Sequence, residues 1–318
     1  MEKIILSAHA KINLTLRITG KRPDGYHDII SFMQGTGLHD MVEIKKCSRN
    51  ATKYKLPHCT INDVVVYLCT DTKTIPTDMD NLAFRGVKAL SDACIREGRG
   101  LAEMPEELIV TIDKELPVTA GIAGGSANAA ACILGLNALL RYPFSLRELM
   151  SIGAGVGADV PFSLFMNAYR NADTLEGLPG LDEASDSAWT SGIGDIVERA
   201  ESVPRHVILA NPGVAVSTAI AYRAMDHVGY SDIDEDSARQ LFVNDMEKFT
   251  LVAQPRAAEL KSFMEDSLHA EEVLMSGSGP TIVAYYRDEK SAEADMAVMN
   301  EKIKEDPAIR AWITATGL

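Results

Sequence analysis

The chain has 318 residues, 46% of them hydrophobic and 24% charged, with a formal net charge of −14. That length and balance predict an ordered globular protein of about two domains. The acidic excess argues against nucleic acid or an anionic membrane as partner, and no apolar run reaches the roughly 18 residues that a bilayer span needs.

The first residues alternate apolar and polar and carry charge throughout, unlike a signal or transit peptide, so a cytoplasmic protein is expected. Cys47, Cys59, Cys69, Cys94 and Cys132 are odd in number, widely spaced and form no CxxC pair, which predicts buried free thiols rather than disulfides or a zinc site. The seven histidines show no metal-ligand spacing. Against the acidic field, residues 1–27 hold Lys3, Lys11, Arg17, Lys21 and Arg22 but only Glu2 and Asp24. An anionic substrate fits that stretch, and a solvated strand with charged flanks fits the charge equally well.

In chain order, Ile12, Leu14, Leu16 and Ile18 alternate with Asn13, Thr15 and Arg17, predicting a strand with one buried face. Gly20, Pro23 and Gly25 mark a turn through Tyr26 and His27. Strands are expected at 41–47 and 108–113, with an amphipathic helix over 82–96 capped by Asp80 or Asn81. A helix over 125–141 begins with Ser, Ala and Asn, small enough for another backbone to pack closely. Ser145 and Glu148 have the spacing of a capping box that opens a short helix ending near Gly153. The acidic stretch 171–194 reads as a long exposed loop. Strands at 206–210 and 281–286 then alternate with helices at 218–227, 255–268 and 290–304, an α+β pattern.

Four segments are able to carry chemistry. In Pro117–Ala131, Gly121, Gly124 and Gly125 precede a helix whose first amides and positive dipole end favour phosphate oxygens. No lysine follows the glycines, and the spacing fits neither a GxxxxGK[ST] nor a GxGxxG loop. Asp159, between a glycine-rich turn and a strand-like apolar run, is able to accept a proton from a substrate hydroxyl; capping the turn is its plainer role. Met275–Pro280 is a small-residue turn before a strand. Lys11 opens the alternating strand, where its ammonium is able to meet both a substrate oxygen and Asp159. Each segment has an ordinary structural explanation when taken alone.

Together and in this order, the four resemble the GHMP kinase superfamily: Pro117–Ala131 its phosphate loop, Met275–Pro280 its C-terminal glycine motif. Ala10-Lys11-Ile12-Asn13-Leu14, then Gly20–His27, Gly157–Phe162, Asn211-Pro212-Gly213 with Ser217-Thr218, and Asn244–Glu247 are similar to the branch acting on a methylerythritol that carries cytidine diphosphate. The resemblance implies a two-domain α+β fold with the active site in the interdomain cleft, split near 168/169 into an ATP-binding N-terminal domain and a substrate-side C-terminal domain. It implies ATP- and Mg²⁺-dependent phosphate transfer to the 2-hydroxyl of 4-diphosphocytidyl-2-C-methyl-D-erythritol, a step of non-mevalonate isoprenoid synthesis. By the same match Asp159 is the proton acceptor and Lys11 its charge-stabilising partner. Pro117, Gly121, Ile122, Ala123, Gly124, Gly125, Ser126 and Ala127 hold ATP, with Ser126 nearest Mg²⁺. Asn13, Tyr26, His27, Gly277 and Ser278 hold the substrate, Tyr26 and His27 taking the cytosine.

The chain departs from the pattern at Ala127, where many relatives have a second serine, and at Ala123, where some have glycine. An acidic insertion near 171–191 follows Phe162. The competing readings are another small-molecule kinase of the superfamily, acting on mevalonate, homoserine or a sugar, and a non-catalytic nucleotide-binding relative. Tyr26-His27 counts against the first, since those acceptors carry no base; the presence of both Lys11 and Asp159 counts against the second.

Overall fold

The computed structural model describes residues 1–47, 56–118, 120–230 and 235–317. Contacts divide the chain into two compact units. The first holds Met1–Ala10, Leu38–Val118 and Ala123–Asp186; the second holds Lys11–Gly37, the short stretch ending at Ile122, and Ser187–Leu318. This is not a single cut at 168/169. Two long strands, β1 (Lys3–Lys21) and β2 (His27–Cys47), each give one stretch to each unit.

In the first unit, β3 (His58–Ile61) pairs antiparallel with β4 (Val64–Thr70), and β4 pairs parallel with β5 (Glu107–Asp113). A parallel pair needs a crossover, and α1 (Leu82–Glu97) supplies it, opened by the Asn81 side chain accepting from the Ala83 amide. The C-terminal part of β2 continues the sheet against β5. Helices α2 (Gly124–Leu139), α3 (Leu146–Ala154) and α4 (Val160–Arg170) pack with one another, and α2 and α3 also pack with α1. The small residues that open α2 serve close packing, as expected: a Cβ on Gly86 of α1 would lie 2.8 Å from the Ala129 carbonyl oxygen.

Helix α4 corrects the strand-like reading of the run after Asp159. Val160–Ala168 is buried all round, the polar Ser163 and Asn167 included, although these two and Arg170 recur at helical spacing. Pro161 in the first turn is where a helix tolerates proline. The exposed loop expected after residue 171 is also corrected. Leu175, Leu178 and Ala184 are buried, Asp186 is buried against Arg170 (2.6 and 2.8 Å), and Ser187–Ser191 is a strand, β6.

The capping box at Ser145 is present, and Glu148 also takes Arg99 at 2.8 Å. The Ser145 backbone N–H, then Arg99, hold the Glu148 carboxyl down from 4.5 to about 2. A depressed carboxyl adds stability above its unfolded pKa and loses it as pH falls through its folded one. The stability difference between wild type and Glu148→Gln is therefore expected to shrink as pH falls from 4.5 to about 2, read by urea unfolding at stepped pH.

In the second unit, β6 pairs with the N-terminal part of β2 and with β7 (Ile196–Arg199). A further antiparallel run has the order β10 (Glu272–Met275), β11 (Ile282–Tyr286), β8 (Arg205–Asn211), β12 (Arg310–Thr316), and β12 meets β2 with Thr316 opposite Thr36. Its helices are α5 (Thr218–Val228), α6 (Glu235–Ala238), α7 (Glu247–Ala253), α8 (Pro255–Ser267) and α9 (Glu289–Glu305). The core joins Leu16, Ile18 and Ile29 to Ile208, Met264, Ile282 and Met299. The short β9 (Val243–Asn244) pairs parallel with β1.

The expectation of one solvated face on β1 is overturned. Lys11, Asn13 and Thr15 are 3%, 1% and 0% exposed. Segment 240–245 and Ser276 cover the polar face, and its side chains find partners there: Thr15 Oγ1 donates to the Gln240 carbonyl at 2.7 Å, and Arg17 meets Asp245 at 3.3 Å. Polar groups so deeply buried are tolerated because they are bonded. All five cysteines are free, and burial pushes the thiols of Cys94 and Cys132 up to about 11 and about 12. Among the described residues no helix is long and apolar enough to cross a membrane.

Candidate active site

In the second unit, Lys11, Asn13, Gly121, Ile122, Gly277 and Ser278 come together. The Lys11 amide donates to the Ile122 carbonyl at 3.1 Å, and its ammonium donates to Asn13 Oδ1 at 2.6 Å. Gly121 lies in the left-handed region (φ 76°), and a Cβ there would lie 2.6 Å from the Ser276 carbonyl oxygen, so only glycine fits between the two turns. Ser276 Oγ donates to the Gly121 carbonyl at 3.2 Å. Ser278 Oγ is 2.9 Å from Thr218 Oγ1.

The run 244–247, which entered the sequence reading only as a resemblance, braces this turn. Asn244 Nδ2 donates to the carbonyls of Met275 (2.6 Å) and Gly277 (2.8 Å), and Glu247 accepts from the Met275 amide (2.8 Å). Asp245, buried, accepts from the Ile18 amide at 3.1 Å and from Lys248 at 2.9 Å.

Tyr26 and His27 separate. Tyr26 sits on an Asp24-bonded turn with its ring exposed, while His27 starts β2 with its side chain only 2% exposed. His27 Nε2 is 2.8 Å from Asp226 Oδ1, Tyr230 Oη donates to the same oxygen at 2.6 Å, and Lys21 pairs with the other. Lys21, then Tyr230 and His27, hold the Asp226 carboxyl well below the usual carboxylate range. In return Asp226 pushes the Tyr230 phenol up to about 12. A lasting carboxylate at Nε2 puts the proton on that nitrogen and the lone pair of a neutral ring on Nδ1. Lys3, Arg17, Lys21 and Arg22 all have carboxylate partners, so the basic N-terminal stretch is largely neutralised locally.

The same unit has a groove of about 450 Å³ that the sequence did not announce, lined by Asp28, Ile30, Trp189, Gly192, Glu198 and Arg239. Arg239 lies 5.3 Å over the Trp189 ring and pairs with Glu198 at 2.9 Å. Trp189 belongs to the stretch read as loop, which is why its aromatic face went unremarked.

In the first unit, Ala123 is the N-cap of α2 and is itself left-handed (φ 58°), a strained state for a residue with a Cβ. No side chain caps this helix start, and Ala127 is the first residue to bond back, to the Ala123 carbonyl at 2.9 Å. The amides of Gly124, Gly125 and Ser126 thus precede the intrahelical ladder, the arrangement that favours anions. Pro117 leads into this loop; Thr119 of the same motif lies outside the described residues. Gly124 borders Lys114, whose ammonium would stand 3.4 Å from a Cβ at that glycine. Lys114 meets the fully buried Asp40 at 2.7 Å, and Asp40 also accepts from Asn128 Nδ2 (2.8 Å) and from the amides of Glu115 (2.9 Å) and Leu116 (2.8 Å). Asp40 carries no local sequence signal.

Asp159, half-buried, stands at the head of α4, yet its side chain does not cap that helix.

Family models described as GHMP kinases N terminal domain and GHMP kinases C terminal match residues 81–167 and 225–305. A 4-diphosphocytidyl-2-C-methyl-D-erythritol kinase of Syntrophus aciditrophicus is 33% identical over 303 residues, 92% of this chain and 93% of that one. One of Geobacter sp. is 32% identical over 327 aligned residues, 99% and 98% of the two chains. A solved 4-(cytidine 5'-diphospho)-2C-methyl-D-erythritol kinase shares the fold at TM-score 0.71 and 23% identity, covering 99% of this chain and all of that one. Homoserine kinase from Cytophaga hutchinsonii follows at TM-score 0.59 and 15% identity, covering 99% of this chain and 94% of its own. The chain belongs to the GHMP kinases, in the family of the 4-diphosphocytidyl-2-C-methyl-D-erythritol kinases.

Proposed function

We propose that the protein transfers the γ-phosphate of ATP to the 2-hydroxyl of 4-diphosphocytidyl-2-C-methyl-D-erythritol, a step of non-mevalonate isoprenoid synthesis in the cytoplasm. Near-full-length relatedness to curated kinases of that substrate is the observation that carries this reading. ATP is held at the glycine loop: the amides at Gly124–Ser126 of the first unit take phosphate oxygens, with Pro117, Ala123 and Ala127 of that unit and Gly121 and Ile122 of the second shaping the loop. Among the described residues no group of three or more His, Cys, Asp or Glu side chains is able to hold a metal. Mg²⁺ would arrive on the nucleotide, with the Ser126 hydroxyl in the first turn of α2 as its protein oxygen. When bound there it offsets charge on the phosphates.

Asp159 accepts the proton of the attacking hydroxyl, and Lys11, held by Asn13, stabilises the charge that develops on the oxygens. Gly277 and Ser278 border the substrate. For the base, Tyr26 gives a π face and His27, its Nε2 proton taken by Asp226, gives Nδ1 as acceptor for the exocyclic amino group of cytosine. Trp189 adds a second aromatic face in the same unit.

The test is ADP release with Mg·ATP and, in turn, the cytidyl compound, mevalonate and homoserine. Turnover with the cytidyl compound alone is expected. Activity on another alcohol alone overturns the substrate, and silence with all three overturns the kinase reading. His27→Ala is expected to raise KM for the cytidyl substrate about tenfold while leaving KM for ATP within about twofold. An effect on ATP alone reverses the assignment of the two ligands.

A further inference from the structure

We infer that Ser31 is a positioning residue of this active site: its hydroxyl turns the side-chain amide of Asn13 so that the oxygen, not the NH₂, meets the Lys11 ammonium. The inference rests on the role just proposed for Lys11 and adds a residue that no motif in the sequence singles out.

The direction of each bond follows from what its atoms are able to do. Ser31, fully buried on β2, has its Oγ 2.5 Å from the Thr15 carbonyl oxygen. A carbonyl only accepts, so the single hydroxyl proton is spent there. Any group meeting Oγ from another side must donate, and Asn13 Nδ2 does so at 2.8 Å. The opposite end of that amide is then Oδ1, which lies 2.6 Å from Lys11 Nζ, an atom that only donates. Rotating the amide by half a turn would set NH₂ against NH₃⁺ and leave Ser31 Oγ facing an oxygen with no proton between them. None of the three residues is more than 3% exposed, so bulk water is poorly placed to repair the mismatch, and at low dielectric each bond is electrostatically stronger.

Without the Ser31 hydroxyl the amide loses the partner that fixes its sense. Lys11 then spends part of its time off its working position. Asn13 is also matched to the substrate side, so kcat should fall and KM for the cytidyl substrate is free to rise with it, while KM for ATP should hold.

Ser31→Ala and Ser31→Cys, the latter near in volume but a weak donor, would be assayed after thermal melts establish which are folded. Each folded variant is expected to lose kcat on the order of tenfold, with KM for ATP within about twofold. The same Ser31→Ala change would be made in an Asn13→Ala background and read by single-turnover phosphate transfer. With no amide to orient, its effect there should fall below about twofold. Wild-type kcat in a folded Ser31 variant overturns the inference, as does an equal loss in both backgrounds. Lys11→Met separates this failure from that of the underlying reading: if it keeps wild-type kcat, the role of Lys11 is what fails.

Discussion

Asp159→Asn is expected to lower kcat by a factor on the order of 10³, with KM for ATP nearly unchanged and the melting temperature within a few degrees of wild type. Asparagine keeps the shape and an acceptor oxygen but not the basicity, and loss of a positioned general base typically removes 10²- to 10⁴-fold. Helix α4 does not depend on this side chain for its start. Asp159 stands at the head of α4, but its side chain does not cap it, so the helix loses no cap bond. The helix itself is held by the burial of Val160–Ala168, which the substitution leaves alone. A kcat within threefold of wild type in the coupled ADP assay removes Asp159 from proton transfer. A collapse in melting temperature would instead make it a structural carboxylate.

What was legible in the sequence was local. The capping box at Ser145, the Asn81 cap and the alternation of Ile12, Leu14, Leu16 and Ile18 are short-range patterns, and the structure contains each of them. The polar partners in that alternation were readable as residues but not as buried ones. The acceptors for the Thr15 hydroxyl and the Asn13 backbone N–H come from residues 240 and 276, far along the chain. Ser31 and Asp40 were invisible for the same reason: each acts through bonds to elements whose pairing no local pattern encodes. Helix α4 does carry a helical period in Ser163, Asn167 and Arg170, but it is short and set in an apolar majority that also suits a buried strand. The acidic stretch after residue 171 was misread from composition. Its charges crowd the surface at Asp173, Glu176, Asp182 and Glu183, while Leu175, Leu178 and Trp189 mark an ordered segment beneath.

Asp40→Ala is expected to destabilise the protein by about 3–5 kcal/mol, the range found when one member of a buried ion pair is removed. Four donors converge on this carboxylate: the Lys114 ammonium, the Asn128 amide and the backbone N–H groups of Glu115 and Leu116. Alanine strands all of them, and Lys114, its side chain 5% exposed, is left as a buried charge without its carboxylate. The Lys114→Met partner substitution should recover part of the loss, because a buried pair replaced by apolar groups is often near neutral; the two amides would still lack an acceptor. Urea unfolding of the single and double variants reads both terms, and a single-variant loss below about 1 kcal/mol would show that the cluster tolerates opening. The same carboxylate ties residues 114–116, which lead into Pro117 and the glycine loop, to the second turn of α2. Folded Asp40→Asn should therefore raise KM for ATP more than KM for the cytidyl substrate, since it loosens the loop that holds phosphate and leaves His27 and Asp226 untouched. Equal changes in the two KM values would confine Asp40 to stability alone.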